Sequence, residues 1–591
     1  MGSIPYDGGT AFRVWAPFAS RIFVTGTFND WSEKSHPLAA DGNGYWSADV
    51  PGAKPGDEYR YIIFTGTRKL SRLDPYAKDV TSSVGNAIIV DSDFDWGQDN
   101  YRTPDWHEVV IYEMHIGTFN DLPGGPPGNL SGVISRLPHL EALGINAIQI
   151  MPTFEFAGGF SWGYNPANIF AIESDYGGPK ALKELIKAAH GHGIAIIFDV
   201  VYNHFGPSDL DLWQFDGWHE NNKGGIYFYN DLRSKTPWGD TRPDYGRPEV
   251  RQFLRDNALM WLEEYRGDGL RWDATAYIRN VYGDNNDPER DIPEGWELMR
   301  RINDEIHSRQ PWKISIAEDL RNNEWITKDI GAGGAGFDGQ WDAGFVHPIR
   351  RAIISPDDAS RNMQAVRDAI VHRYNGDPFQ RVIYTESHDE VANGKARVPQ
   401  EIWPDNPGSY FSRKRSTLGA ALVFTSPGIP MIFQGQEFLE DEWFRDTDPI
   451  DWTKKEKYSG ILKLYRDLIR LRRNWFNNTR GLRGQHVHVH HLNNNDKVIA
   501  FHRWENGGPG DDVIVIANMA NRSYDNYNIG FPKAGFWKVR FNSDWNGYGS
   551  DFGNHFSYPA YAHPGSKDGM LYNGNVGIGP YSVIILSQDN A

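Results

Sequence analysis

Short apolar runs alternating with polar positions fill the first 95 residues: FRVWAP (12–17), RIFVTGTFNDW (21–31), GYWSADV (44–50) and EYRYIIF (58–64). Gly, Asp, Asn and Pro punctuate them, and a period of two with such turn signals predicts a small antiparallel β-sandwich over 1–95. From about 106 the pattern changes to strand-then-helix repeats. The predicted strands are VVIYEMH (109–115), AIQIMP (147–152), IAIIFDVV (194–201), GLRWDA (269–274), ISIAE (314–318), FDGQWD (337–342), VIYTES (382–387) and IPMIFQG (429–435). Several are continuous apolar runs, as parallel strands buried on both faces require. Between them, apolar residues recur at helical spacing. Val250, Phe253, Leu254, Ala258, Trp261, Leu262 and Tyr265 do so in one segment, and 179–190, 296–308, 412–424 and 459–473 behave alike. Eight such units predict an α/β fold, a (β/α)8 TIM barrel over 96–478. The segment 205–247 exceeds an ordinary βα loop and reads as a small excursion domain. Short strands return over 479–591 (VIAFHRW, VIVIANM, YSVIILS), predicting a C-terminal antiparallel β-sandwich.

Composition narrows the partners. The 591 residues are too many for one ordinary domain. The net charge is −17, from 60 basic and 77 acidic residues, and no basic run occurs. Nucleic acid and anionic membrane surfaces both need clustered Lys and Arg, so neither is expected as a partner. No cysteine is present, so disulfides and thiolate chemistry are out. The start, MGSIPYDGGT, lacks a charged-then-apolar leader, and nothing later reaches 18 apolar residues. The expectation is a cytoplasmic enzyme acting as a monomer. Aromatics make up 14% of the chain, with 22 Trp. Most belong in the core, but flat rings also suit the C–H face of a pyranose, and Trp31 of FNDW is a candidate sugar platform.

The polar clusters sit at C-terminal strand ends, where the βα loops of such a barrel converge. Cleaving a glycosidic bond with retention needs one carboxylate to attack the anomeric carbon and one carboxyl to protonate the leaving oxygen, roughly 5–5.5 Å apart. Asp273 and Glu318 end neighbouring strands and meet that need. Arg271 lies two residues before Asp273, on the same strand face, and favours the ionised form a nucleophile requires. Glu318 follows the apolar run ISIA, where desolvation favours a retained proton. Asp389, beside His388, supplies a third carboxylate. A lone strand-end Asp is commonly a cap or loop anchor; the spaced set is what points to catalysis.

DVVYNH (199–204), GLRWDAT (269–275), IAED (316–319) and ESHDE (386–390) resemble, in order, the four short motifs of the α-amylase family, glycoside hydrolase family 13. The resemblance covers essentially the whole chain. It implies Asp273 as nucleophile, Glu318 as acid/base and Asp389 as transition-state stabiliser. It also implies that Tyr164 (in WGYNP), Asp199, His204, Arg271 and His388 line the subsite for the reacting sugar. FRVWAP and FNDW look like carbohydrate-binding module family 48. Within the family, YEMHIGTF, ESHDEVANGK, GQEFLEDEW and NSDWNGYGSDFGN look like 1,4-α-glucan branching enzymes, whereas TPWGD and AEDLRN also resemble maltooligosyl trehalose trehalohydrolases. Trp272 and Thr275 depart from the commonest residues of both groups. Branching is the favoured expectation and hydrolysis of an α-glucan the alternative, with amylose, amylopectin, glycogen or malto-oligosaccharides as substrate.

Three other signals are set aside. GAGGAG (331–336) satisfies GxGxxG but precedes its strand and opens no helix, so it fails as a dinucleotide loop. His486, His488, His490 and His491 form a cluster in which three alternate along one strand face; solvated strand histidines are the commoner case. Asn203 matches a calcium-binding position of many amylases, yet branching members generally lack the ion. No metal and no cofactor are expected.

Overall fold

The computed structural model describes residues 1–590. Near its start, Gly2–Tyr6, Gly9–Trp15, Tyr45–Pro51 and Ala39–Ala40 form one antiparallel sheet. Arg21–Gly26, Glu58–Thr65, Arg68–Arg72 and Ala87–Ile88 form a second. Alternation places Phe12, Val14, Ile22, Val24, Tyr59, Tyr61 and Ile63 in the interior. Trp31 takes a left-handed conformation (φ 58°) and is 38% exposed.

Every barrel strand read from the sequence forms: β1 Ile111–Met114, β2 Ala147–Ile150, β3 Ala195–Val200, β4 Gly269–Trp272, β5 Ile314–Ala317, β6 Gly339–Trp341, β7 Arg381–Ile383 and β8 Ile429–Phe433. They close in the order β1 to β8, with β8 pairing β1 in parallel. Their residues are buried throughout, which is why the runs are apolar rather than alternating. The expected helices occur as Gly178–Gly191, Pro248–Leu259, Pro293–Arg309, Tyr410–Thr425 and Ser459–Arg472. The second of these continues as a π-helical turn, Met260–Glu264.

The chain divides into two compact units. The first comprises Met1–Arg102, His115–Leu137 and Gln149–Gly336; the second comprises Thr103–Met114, Pro138–Ile148 and Phe337–Ala591. In the first, the stretch 205–247 holds short 3-10 turns at Gly225–Tyr227 and Leu232–Ser234 and isolated bridges from Phe228 to Pro243 and from Thr236 to Gly239. In the second, eight antiparallel strands between His486 and Ser587 enclose a core that includes Ile514, Ile516, Phe531, Trp537, Ile584 and Leu586. Along His486–Asn493 the pairing is regular through Val489 and shifts between Val489 and His491, and the His488 and His490 rings lie 6.1 Å apart. His486 stacks on Trp504, and His491 pairs with Asp568 at 3.1 Å.

One hairpin leaves no periodic mark in the sequence. Phe154–Phe156 pairs with Pro166–Ile172 and buries two carboxyls, Glu155 and Glu173. The Ser174 N–H donates to Glu155 (2.9 Å), while the Phe156 and Asp175 N–H groups donate to Glu173 (both 3.2 Å). Burial pushes both carboxyls up into the neutral range, and the Glu155 charge raises Glu173 further. A carboxyl that holds its proton more tightly when folded makes stability fall as pH rises, here from about pH 5 to 8. Glu155→Gln removes one of these charges and gives its neighbour an amide donor. It is expected to stabilise the protein by about 1–2 kcal/mol at pH 8, with little effect at pH 5. Urea denaturation at both values checks this; an equal shift at both would refute the charge account.

Candidate active site

Register brings the first half of the site together. Asp199 on β3 lies beside Arg271 on β4, and Val200, Trp272 and Ala317 align one residue further along. Side chains alternate across a strand, so Arg271 and Asp273 point inward while Trp272 packs outward against Tyr202. The three strands end together through backbone bonds from Asp273 to Val200 (3.0 Å) and from Glu318 to Trp272 (2.9 Å).

Arg271 is fully buried and organises the set. Its Nη1 donates to both oxygens of Asp199 (2.9 and 2.7 Å), to Oδ1 of Asp273 (3.1 Å) and to the Tyr164 hydroxyl (3.3 Å). Its Nη2 lies 3.3 Å from Oε2 of Glu318. One planar guanidinium therefore holds three carboxylates in a fixed arrangement. Burial alone would lower the arginine, but the surrounding anions raise it well above its ordinary value, so it stays charged. Burial pushes Asp199 up to about 7; Arg271, shared with two other carboxylates, returns only part of that cost. Tyr164 donates to Oδ2 of Asp199 at 2.6 Å.

Asp273 is also held by Asn203, whose Nδ2 donates to its carbonyl and to its Oδ2, both at 2.7 Å. The Asn203 amide thus serves the carboxylate that the sequence marks as nucleophile. Burial pushes His204 down to about 4, so its ring is neutral. It reaches the Tyr164 carbonyl (2.9 Å) through Nε2 and stacks on Trp238 at 4.5 Å. Ala274 follows Asp273 in a left-handed conformation (φ 42°), which costs roughly 1–2 kcal/mol in a residue with a Cβ. That turn aims its N–H at Oε2 of Glu318, 2.6 Å away. Thr275, unusual by resemblance, ties the same corner: its hydroxyl donates to the Glu318 carbonyl (3.1 Å) and to Asp319 (3.2 Å). Arg279 clamps Asp319 from the other side, at 2.9 Å through both Nε and Nη2.

The second unit carries the other motif residues. His388 follows β7, and Glu113 on β1 accepts from its backbone N–H (3.0 Å) and faces its Nδ1 (2.7 Å). That contact places the Nδ1 proton toward Glu113 and presents Nε2, 3.6 Å from Asp389. Asp389 is the most open of the three expected catalytic carboxylates, with 42% of its side chain exposed, and accepts from Asn393 at 3.3 Å. Glu113 and Asp319 carry no site signal of their own in the sequence, and Asn203 is marked there only by its match to a calcium-binding position. Glu113 stood inside YEMHIGTF and Asp319 inside IAED, but nothing in a strand's apolar pattern tells which polar residue will meet which. The GAGGAG segment opens no helix and precedes β6, as its context implied.

The chain is similar to known proteins along most of its length. Family models for the α-amylase catalytic domain, carbohydrate-binding module 48 and the α-amylase C-terminal all-beta domain match residues 111–213, 1–77 and 488–589. The chain is 30% identical to the 1,4-alpha-glucan branching enzyme GlgB of Oceanobacillus iheyensis, over 94% of this chain and 90% of that protein. It is 28% identical to the GlgB of Picrophilus torridus, over 98% and 81%. Among solved structures, a pullulanase from Paenibacillus barengoltzii in complex with maltohexaose and α-cyclodextrin superposes with a TM-score of 0.77. Its identity is 21%, covering 100% of this chain and 95% of that one. A pullulanase from Anoxybacillus sp. LM18-11 with maltotetraose gives 0.76 at 22% identity, covering 100% and 87%. At those identities the structures speak for the fold alone.

Proposed function

The chain belongs to the 1,4-α-glucan branching enzymes of the α-amylase family, and from that premise we propose how its own residues cleave an α-1,4 bond and rebuild it as an α-1,6 branch. A carboxylate oxygen of Asp273 attacks the anomeric carbon of the donor while Glu318 passes its proton to the departing 4-oxygen, giving a glycosyl-enzyme. Oε2 of Glu318 is anchored by the Ala274 N–H and lies beside Arg271, which supports a reading in which Oε1 carries the transferable proton. Glu318, now ionised, then takes the proton of an acceptor's 6-hydroxyl. That oxygen attacks the anomeric carbon, Asp273 leaves, and two inversions give net retention.

The observation that carries this reading is the single Arg271 guanidinium held by Asp273 on one nitrogen and beside Glu318 on the other. Asp389 adds charge for the oxocarbenium-like transition state, and His388, fixed by Glu113, offers Nε2 to a sugar hydroxyl. Tyr164, Asp199 and His204 hold the ring that reacts. Among the described residues no helix is long and apolar enough to cross a membrane. The reading takes the enzyme to be a cytoplasmic monomer acting on linear α-glucan, in keeping with a cysteine-free chain.

Incubation with amylose tests it, following iodine colour, reducing ends and α-1,6 anomeric protons together. Loss of colour with new α-1,6 signals and few reducing ends is expected. Reducing ends that accumulate without α-1,6 signals would make the enzyme a hydrolase.

A further inference from the structure

A cleft of about 760 Å³ lies in the first unit, lined by Arg251, Trp296, Glu297, Arg300 and Trp325 among others. Three segments build it: the start of Pro248–Leu259, the first two turns of Pro293–Arg309, and the loop that follows Glu318 and Asp319. None of its lining residues is among those assigned above to catalysis or to the reacting sugar. Its size falls within the range of small-ligand clefts, about 300–1,000 Å³.

Two indoles face this space. Trp325 is 45% exposed, a large cost for a residue of that area unless something covers it. Lys328 sits over its ring, with Nζ 3.7 Å from the centroid, which holds the indole in place. Trp296 is half-buried and rests beside the Arg279 guanidinium, 5.9 Å away. The polar lining is nearly balanced, with Arg251 and Arg300 against Asp291, Glu294 and Glu297. Arg300 Nε is buried and meets no hydrogen-bond partner among the described residues. A polyanion would meet three carboxylates here, and an apolar peptide would bury charges. Flat rings ringed by carboxylates and guanidinium groups suit a neutral, polyhydroxylated chain, whose C–H faces stack and whose hydroxyls both donate and accept.

We infer that this cleft is a second α-glucan-binding site, which grips a strand of the polymeric substrate apart from the catalytic carboxylates. The inference rests on the proposed function for the identity of its ligand. The loop carrying Trp325 begins at Glu318 and Asp319, and Asp319 is clamped by the same Arg279 that backs Trp296. A strand held here is therefore kept on the element that carries the proposed acid/base.

Affinity electrophoresis of the full chain through amylopectin gels tests this, using Glu318→Gln protein so that the polymer is not consumed. Trp325→Ala, alone and with Trp296→Ala, is expected to weaken retention at least fivefold, and Trp325→Phe to restore most of it. In otherwise wild-type protein, Trp325→Ala should raise KM for amylopectin several-fold while turnover of a short malto-oligosaccharide donor is unchanged. Unaltered retention overturns the inference, as does an equal loss on a soluble β-glucan or equal losses on short and long donors. A chain inactive on amylose but still held by amylopectin through Trp325 would instead sink the proposed function and leave the site standing. Because nearly half of Trp325 is exposed, its substitution is expected to leave folding intact, which far-ultraviolet circular dichroism checks.

Discussion

Asp273→Asn is expected to lower turnover on amylose by on the order of 10⁵- to 10⁶-fold, because an amide cannot form the glycosyl-enzyme. The side chain keeps its shape, so the loss is chemical rather than a failure to fold. One polar contact does change: Arg271 and Asn203 both donate to the present carboxylate, and the new amide has only one oxygen to offer them. Leaving one buried donor unpaired costs about 1–3 kcal/mol, visible as a lowered melting temperature but not as unfolding. A second readout separates the nucleophile from a merely structural carboxylate. Wild-type protein quenched during turnover of an activated malto-oligosaccharyl donor should yield a peptide containing Asp273 that carries the glycosyl mass, and the variant should yield none. Retention of more than a hundredth of the activity, or labelling at another residue, would remove Asp273 from the role.

Arg271→Met should be the most destabilising single change in the site. Removing one partner of a buried ion pair typically costs 3–5 kcal/mol, and this guanidinium serves Asp199, Asp273 and Glu318 at once. Without it, the burial that already pushes Asp199 up is no longer opposed by the guanidinium, so this carboxyl holds its proton still more tightly in the folded state than in the unfolded chain. Groups raised in that way contribute least stability at high pH, so the deficit relative to wild type should shrink steadily from pH 8 to pH 5. Urea denaturation across that range measures it. A deficit independent of pH would mean that Arg271 matters for packing and not for charge. Should the methionine variant not fold at neutral pH, Arg271→Lys gives the same test more gently. An ammonium keeps the charge but cannot span carboxylates with two nitrogens, so part of the stability and little of the activity should return.

Trp272 shows why strand positions were readable one by one. Its neighbours Arg271 and Asp273 share a face by the period of two, so an apolar residue between them had to point the other way, and it does. The same logic exposed the eight barrel strands, whose burial on both faces leaves an unbroken apolar signature. The hairpin Phe154–Phe156 with Pro166–Ile172 escaped it, because its first strand is three residues long and includes a buried glutamate. The register shift beside His490 is likewise a bulge that no pattern announces.

The sequence by itself determined the architecture and the identities of the candidate carboxylates, because periodicity reports burial and strand ends report the face where loops converge. Partnership was decided only by tertiary structure. Arg271 and Asp273 are near neighbours in the chain, but Asn203, Asp199 and Glu318 are dozens of residues away and reach Arg271 or Asp273 through strand register. Glu113 meets His388 across 275 positions, and the left-handed turn at Ala274 sets the direction of one N–H. Such contacts depend on angles and distances a few tenths of an ångström wide, and those follow from how whole strands pack rather than from any residue's own preference.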